Sequence, residues 1–240
     1  MLYNARMLYI VATPIGNLSD ITLRALEVLK QVDLVACEDT RETGRLLKFY
    51  GVEKPLVSFY KDNEHRKLER LILHLREGRS LALVCDRGTP GISDPAFLLV
   101  REARRQGIPV TTVPGASSLT AALSICGLPS DRFSFWGFLP RKKGRKRTVL
   151  DGLRDRDETL VFFESVHRVK ETLRIMREIF GPRPAAVCRE LTKKFEEVKY
   201  APLDEIVRWA EETKLKGEFV IILQGRGDHG TQVSAEEEDV

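Results

Sequence analysis

The sequence predicts an α/β protein with two α/β domains, and three observations support that class. From Leu8 to Val113, short apolar runs of strand length alternate with amphipathic helical patterns, which is typical of a parallel sheet covered by helices. Polar or glycine-bearing turns follow the strands. After Ser118 the pattern changes, because residues 133–138 and 196–200 alternate between apolar and polar side chains. We expect domains at residues 8–114 and 115–226, an extension at 1–7 and an acidic, disordered tail at 227–240.

The composition sets limits on the class of protein. The chain has 240 residues, of which 42% are hydrophobic and 31% charged, as in a soluble globular protein. A net charge of +4 permits a polyanionic partner without requiring one. The four cysteines, Cys37, Cys85, Cys126 and Cys188, are widely spaced beside apolar runs, so we expect free thiols in a reducing cytoplasm and no metal site. No apolar stretch reaches the length of a membrane span, so no membrane partner is expected.

The first domain is predicted to contain five buried strands, at residues 8–12, 32–37, 56–59, 81–85 and 109–113. Amphipathic helices are predicted at residues 23–29, 46–50, 64–77 and 96–105. Either Ser19 or Asp20 is expected to cap the first helix, which carries Leu23 on its apolar face. The dense polar cluster at residues 38–43 is expected at the end of the second strand.

The second domain is predicted to open with a helix that Ser117 or a neighbour caps and that continues to Cys126. Strands follow at residues 133–138, 159–163, 185–188, 196–200 and 219–223. Helices are predicted at residues 169–179 and from Pro202 to about residue 213. Residues 196–200 are expected to pair as an antiparallel strand.

The turns after the first, second, fourth and fifth strands of the first domain are polar or glycine-bearing, and we expect them to gather at one ligand-binding edge of the sheet. The turn from Val84 to Pro95 follows a buried strand and is rich in glycine and proline, which makes a rigid loop with exposed backbone groups. In α/β sheets ligands bind at such strand ends, although an ordinary strand-to-helix connection is the alternative. The turn at residues 12–18 is neither a dinucleotide fingerprint nor a phosphate-binding P-loop. Residues 114–118 are small enough to let a ligand approach the backbone.

A basic run is the clearest electrostatic feature of the chain. The cationic residues of the run, interrupted only by Gly144, are Arg141, Lys142, Lys143, Arg145, Lys146 and Arg147. Like charges this close repel one another, so we expect a loop that is mobile when unbound. We favour RNA binding by this run over the alternative of a solvated loop without a partner, because cations that neutralise phosphates release counterions. Nearby Trp136 and Phe138 could stack on bases, but they are expected to fill the core.

Three groups of polar residues at strand ends are candidates for catalysis. Asp39 and Arg41 follow the second strand of the first domain. In the second domain, His167 and Arg168 follow one strand, and Glu190 and Lys193 follow another. An isolated histidine is often structural, and a charged turn is often a salt-bridged one. No Ser-His-Asp order and no cluster with metal-ligand spacing is evident.

Several of these stretches together resemble the tetrapyrrole-methylase-like class of S-adenosylmethionine-dependent methyltransferases. The stretches that match are 14–18 with 20–23, 37–41, 86–95, 113–118, 138–147, 163–168 and 189–197. Each motif alone is weak, but the set covers about residues 8–224. Within the class, the match is to enzymes that methylate the ribose 2′-hydroxyl of a cytidine in the decoding region of 16S ribosomal RNA.

The resemblance implies two α/β domains of the class III methyltransferase type, a cofactor in the cleft between them, and a homodimer. It places S-adenosylmethionine against Pro14, Ile15, Arg87, Gly88, Thr89, Ile92, Ser117 and Ser118, with Glu164 and Leu191 as further contacts from the second domain. The glycine-rich first loop of the porphyrin-type members is here Thr13-Pro14-Ile15-Gly16, and their Gly-Asp-Pro is Gly88-Thr89-Pro90. Both departures favour an RNA enzyme.

The implied reaction aligns a ribose hydroxyl in line with the sulfonium methyl group, and a nearby base removes its proton. We expect Asp39, Glu190 or His167 to be that base, with Arg41, Arg168 and Lys193 holding phosphates of 16S RNA or of the small subunit. Two alternatives stay open at this point. One is a methyltransferase acting on a small molecule or a protein, and the other is an RNA-binding factor without catalysis.

Overall fold

A computed structural model describes residues 6–227 of the chain, and the chain divides into two compact units between Ser118 and Leu119. This division lies four residues after the boundary that was expected between residues 114 and 115. Each unit contains one five-stranded sheet with helices, so the predicted α/β class with two domains is confirmed. A disordered tail was predicted at residues 227–240, and residues 228–240 of that segment lie outside the described residues.

The sheet of the first unit consists of β1 (Leu8–Val11), β2 (Leu34–Cys37), β3 (Leu56–Ser58), β4 (Leu81–Leu83) and β5 (Val110–Val113). Its strand order is β3-β2-β4-β1-β5 and every pair is parallel, as predicted. Successive residues of β1 enter different apolar clusters, since Leu8 packs on one face and Tyr9 on the other. A parallel sheet buried on both faces brings the carboxyl ends of its strands to one edge.

The helices of the first unit are α1 (Leu23–Gln31), α2 (Thr40–Phe49), α3 (Glu64–Arg76) and α4 (Phe97–Arg105). The predicted cap of α1 is wrong. Asp20 and Ser19 lie in a separate 3₁₀ turn, and the Thr22 side chain accepts the first free N–H of α1, that of Ala25, at 3.0 Å. Leu23 was also expected on the buried face, but it is 81% exposed because this face begins at Ala25.

Helix α2 begins earlier than the apolar pattern indicated. Asp39 caps it by accepting the backbone N–H of Arg41 at 2.8 Å, so residues 40–45 form its first turns. Thr43 and Leu47 are the buried residues of this helix, four positions apart. The polar cluster at residues 38–43 is therefore a helix start, in which polar side chains supply the cap and the solvent-exposed face.

The sheet of the second unit consists of β6 (Phe133–Phe138), β7 (Thr159–Ser165), β8 (Pro184–Arg189), β9 (Glu197–Pro202) and β10 (Glu218–Leu223). Its order is β6-β7-β10-β8-β9. Only β6 and β7 pair in parallel among these strands, and β9 is antiparallel to β8 as predicted. Phe138 and Trp136 were expected in the core, but they are 57% and 42% exposed because β6 is an edge strand with a bulge at Trp136.

The remaining helices are α5 (Ser118–Ile125), α6 (Lys143–Asp151), α7 (Val169–Phe180) and α8 (Leu203–Glu212). Residues of α6, α7 and α8 share one apolar cluster with one face of the second sheet. Helix α6 corrects the prediction of a mobile loop at the basic run. The run folds as a helix because Lys146 and Leu150, four positions apart, are both buried on the same side of α6.

Candidate functional site

Three loops meet at the carboxyl edge of the first sheet. Thr13 in the loop after β1 and Gly88 in the loop after β4 exchange two backbone hydrogen bonds, of 2.9 and 3.1 Å. The Thr89 hydroxyl donates to the carbonyl oxygen of Ala116, in the loop after β5, at 3.1 Å. The predicted gathering of these loops at one edge is therefore confirmed for the strands β4, β1 and β5, which are neighbours in the sheet.

Glycine is required where these loops pack most closely. Gly88 has a φ of +88°, and a Cβ atom there would lie 3.3 Å from the Cγ2 atom of Ile15. Gly115 has room for no larger residue without movement, since its Cβ would lie 3.1 Å from that of Ala12. Ser93, a non-glycine residue, also adopts a positive φ of 71° in the loop after β4. Such backbone outliers concentrate at binding and catalytic sites.

The structure brings the cofactor-contact residues predicted for the first unit onto these three loops. Pro14, Ile15 and Gly88 are buried beneath the edge, and Arg87 and Ile92 are exposed on it. Thr89, Ser117 and Ser118 are half-buried, with Ser118 at the first position of α5.

Three carboxyl groups that the sequence analysis did not assign follow β2 and β4: Glu38 at the end of β2, and Asp86 and Asp94 in the loop after β4. The backbone N–H of Asp39 donates to Asp86 Oδ1 at 3.0 Å, which joins the two strand ends. Burial, followed by repulsion from neighbouring carboxylates, raises the pKa of Glu38 and of Asp86. Burial likewise raises the pKa of Asp94. The sequence contained a signal for this cluster, because polar residues follow both strands and a parallel sheet can place two such strands side by side.

Asp39 and Arg41 form an exposed pair on the first turn of α2. Arg41 donates from Nε and from a terminal nitrogen to the two Asp39 oxygens, at 3.2 and 2.9 Å. These hydrogen bonds and that from the Arg41 backbone lower the pKa of Asp39 to about 2. A carboxylate with so low a pKa is a weak proton acceptor at neutral pH.

In the second unit, the end of β7 holds a buried polar network. The Glu164 side chain accepts from the Ser165 N–H at 2.8 Å, from Arg168 at 2.6 Å and from the Thr172 hydroxyl at 2.7 Å. Arg168 also donates to the Leu139 carbonyl at 2.9 Å. The Glu164 carboxylate and the partly exposed Arg168 guanidinium thus have partners inside the protein, and their predicted contacts with the cofactor and with RNA stay predictions.

Lys146 is a further correction within the basic run. Its side chain is fully buried, and its ammonium group donates to Glu171 at 2.9 Å and to the Thr172 hydroxyl at 3.0 Å. It therefore cannot contact RNA. Arg147 is half-buried and ion-paired with Glu178. The remaining cations of the run, Arg141, Lys142, Lys143 and Arg145, are exposed.

The loop after β8 is strained where catalytic residues were predicted. Glu190 and Thr192 both have positive φ, of 50° and 64°, and Leu191 between them is 6% exposed. The Glu190 carboxylate accepts from the Lys193 ammonium at 2.9 Å and from the Glu218 N–H at 3.3 Å. It lies over Gly217, where a Cβ atom would collide with it. His167 is exposed on the turn between β7 and α7.

Within residues 6–227, no group of three or more His, Cys, Asp or Glu side chains is arranged to hold a metal ion. The same part of the chain contains no helix long and apolar enough to cross a bilayer. All four cysteines are buried free thiols, as expected. The Cys85 thiol donates to the Gly88 carbonyl at 3.3 Å, and burial raises its pKa, so it serves the loop after β4 structurally.

Comparison with known proteins adds a family assignment to this geometry. The chain is 51% identical over 224 residues to the ribosomal RNA small subunit methyltransferase I of Xylella fastidiosa, covering 92% of this chain and 82% of that one. It is 46% identical to the protein of the same name from Escherichia coli O157:H7, covering 97% and 80%.

Solved structures agree on the fold. A uroporphyrin-III-C-methyltransferase from Thermus thermophilus superposes with a TM-score of 0.59 at 26% identity, covering 90% of this chain and 93% of that one. A diphthine synthase superposes with a TM-score of 0.66 at 18% identity, covering 91% and 89%. The model of the tetrapyrrole (corrin/porphyrin) methylases matches residues 7–207. The chain therefore belongs to the tetrapyrrole methylase family.

Proposed function

We propose that this protein transfers the methyl group of S-adenosylmethionine to the ribose 2′-hydroxyl of a cytidine in the decoding region of 16S ribosomal RNA. The observation that carries the proposal is the identity of 43–51% to proteins named ribosomal RNA small subunit methyltransferase I, over 92% or more of this chain. The methyl donor follows from membership of the methylase family. The exposed cations of the basic run supply an independent reason for an RNA substrate.

The residues of the first unit fit S-adenosylmethionine. The donor carries a sulfonium and an ammonium group, which favour carbonyl oxygens and carboxylates as neighbours. The three loops at the carboxyl edge supply backbone groups, and Glu38, Asp86 and Asp94 supply carboxyl groups beside them. Gly88 and Gly115 keep the backbone free of side chains at this edge. When bound, the cofactor supplies an electrophilic methyl group.

The residues of the first unit that would hold the cofactor are Pro14, Ile15, Arg87, Gly88, Thr89, Ile92, Ser117 and Ser118. In the second unit, the Glu164 carboxylate oxygens already accept internal hydrogen bonds.

The proton of the ribose hydroxyl must pass to an acceptor as the new bond forms. The low pKa of Asp39 makes it a weak acceptor. Glu190 and His167 stay in the set, and Lys193 beside Glu190 is suited to a phosphate or to the ribose oxygens. The raised pKa values of Asp86 and Glu38 add two carboxyl groups suited to proton transfer.

The start of α6 supports phosphate binding. No side chain caps the first free N–H groups of this helix, and its first turn contains cations but no acidic residue. Cations at the N-terminus of a helix oppose its dipole, whereas an anion there is stabilised. A phosphate beside Lys142 and Lys143 would offset the repulsion between these cations and the helix dipole. It would also attract Arg141 and Arg145. RNA rather than DNA fits a 2′-hydroxyl target.

We also propose a cytoplasmic homodimer. By register, four exposed apolar side chains lie on the face of the second sheet opposite to α6, α7 and α8. They are Phe133, Phe138, Val198 and Tyr200, which are 37–57% exposed. Exposed aromatic groups on one face are typical of an association surface. A small ribosomal subunit as substrate places the enzyme in the cytoplasm.

Transfer of a tritiated methyl group tests the proposal. The wild-type protein is incubated with labelled S-adenosylmethionine and with unmodified small subunits, naked 16S RNA or tetrapyrrole precursors. We expect label only in the RNA, at one cytidine ribose. Label in the precursors would favour a small-molecule methylase, and RNA binding without transfer would favour a non-catalytic factor. An Arg141→Gln, Arg145→Gln double variant should lose RNA methylation while it retains cofactor binding measured by calorimetry.

A further inference from the structure

Two of the cations predicted to bind RNA, one fully buried and one with a side chain that is 20% exposed, hold the chain on either side of the exposed cations. Lys146 follows the cationic segment, which we define as residues 141–145, and is fully buried. Arg168 is bonded to the Leu139 carbonyl, which precedes the segment, at 2.9 Å. Both cations belong to a network with two buried polar residues, Glu164 and Thr172, which are 2% and 0% exposed.

Glu164 connects the two ends of this network. One of its oxygens accepts from Arg168 at 2.6 Å, and the other accepts from the Thr172 hydroxyl at 2.7 Å. Because Thr172 donates its single proton to Glu164, its oxygen is left to accept from Lys146, at 3.0 Å. The chain of contacts therefore runs from Leu139 through Arg168, Glu164 and Thr172 to Lys146, without a missing link.

We propose that Glu164, Arg168, Thr172 and Lys146 form a buried frame that positions the cationic segment for RNA. The proposal rests on the proposed function and adds positioning residues to it. Arg168 holds the chain before the segment and Lys146 holds it after, so the exposed cations between them keep a fixed spacing. Arg141, Lys142, Lys143 and Arg145 would otherwise repel one another and spread. A preorganised cationic surface binds a polyanion more tightly because less ordering is needed on binding.

The decisive comparison uses substitutions of similar size with different consequences. Arg145→Met and Lys146→Met each remove one positive charge from neighbouring positions of α6, but only the second removes a member of the frame. Thr172→Val breaks the link between Lys146 and Glu164 without changing any charge, and Thr172→Ser retains the hydroxyl. RNA affinity is measured for each variant with transcribed 16S RNA at several salt concentrations, well below the melting temperature of the variant.

If the frame positions the segment, Thr172→Val raises the Kd for the transcript at least tenfold. It also lowers the slope of log affinity against log salt concentration by more than the loss of one phosphate contact would. Thr172→Ser stays within threefold of the wild type. Methyl transfer by Thr172→Val at saturating RNA stays within twofold of the wild type, so KM rises and kcat does not. Arg145→Met loses a single phosphate contact, about 0.7 in the salt slope and about fourfold in affinity at physiological salt. Lys146→Met, if it folds, should resemble Thr172→Val rather than Arg145→Met.

A lower melting temperature in Thr172→Val with unchanged RNA affinity and salt slope would overturn the proposal, because the network would then serve stability alone. Hydrogen exchange tests the frame without RNA. In Thr172→Val the amides of residues 146–150, which are bonded within α6, should exchange at least tenfold faster, while those of α8 keep their protection. Unchanged exchange in α6 would also overturn the proposal. A wild-type protein that fails to bind the transcript would instead remove the proposed function and leave the exchange result to decide on the frame.

Discussion

The carboxyl groups at the strand ends of the two units differ in how they are neutralised. At the ends of β2 and β4, Glu38 and Asp86 face further carboxylates, and burial and repulsion raise their pKa values. At the end of β7, Glu164 is more deeply buried but accepts from Arg168, Ser165 and Thr172. The first arrangement leaves carboxyl groups ready to exchange protons, whereas the second uses a carboxylate to hold the fold. The same position in an α/β unit thus holds carboxyl groups with raised pKa values in one case and an internally bonded carboxylate in the other.

The largest expected effect is a loss of stability on substitution of Glu164, the carboxylate that is bonded inside the fold. Glu164→Gln should destabilise the protein by about 3–5 kcal/mol, because it leaves the mostly buried Arg168 without its counter-charge. Urea unfolding monitored by circular dichroism gives the free energy. A loss below about 1 kcal/mol would mean that the frame does not depend on this charge.

A glycine in each unit provides the next comparison. Gly217→Ala should cost about 2–3 kcal/mol, because its φ of +90° disfavours a side chain and the new Cβ would collide with the Glu190 carboxyl group. Gly107→Ala is the matched control, since its φ is +65° but no atom lies within 4 Å of the new Cβ. The control should lose only about 1 kcal/mol. Equal losses in urea unfolding would show that the Glu190 contact adds nothing.

The pH dependence of stability should have opposite signs at Asp86 and Asp39. The pKa of Asp86 is raised above its ordinary value of 3.8 in the folded state, so the stability it contributes is present at low pH and is lost as pH rises through the raised pKa. The pKa of Asp39 is lowered to about 2, so its contribution is present above pH 3.8 and is lost as pH falls toward 2.

Asp86→Asn should therefore stabilise the protein at pH 7 relative to pH 4, by no more than about 1 kcal/mol because solvent screens a partly buried group. Unfolding in urea at the two pH values measures the difference. Asp39→Asn serves as the control, and a stabilisation of similar sign by this variant would contradict the assignment of repulsion to Asp86.

The smallest effect is expected at Glu171, the surface partner of Lys146 outside the buried frame. Glu171 pairs with Lys146, but its side chain is 44% exposed. Glu171→Gln should cost about 1 kcal/mol or less, because solvent screens the pair and the amide oxygen can still accept from Lys146. Calorimetric melting of this variant and of Glu164→Gln would show whether the stabilisation by the frame comes mainly from its buried centre. A loss as large as that of Glu164→Gln would place it at the surface pair.

Much of the scaffold followed from local patterns. Buried strands such as β4, followed directly by glycine and proline, were enough to predict the parallel sheet and the edge where its loops meet. The direction of each cation in the basic run could not be predicted, because a run of like residues carries no apolar period to show which side faces inward. Lys146 turns inward only because Thr172 and Glu171, far along the chain, supply its partners. Asp86 and Asp39 likewise meet through strand pairing that no local pattern records.

The bulge in β6 has a consequence for how copies of the protein can associate. Between Phe135 and Gly137 the register with β7 shifts by one residue, on a strand that has a neighbour on one side only. An extended segment from another molecule would need an unbroken row of N–H and C=O groups along that side to continue the sheet. The kink interrupts that row, so polymerisation by strand addition is discouraged at this border. The proposed homodimer would therefore have to use side-chain surfaces rather than the backbone of this strand.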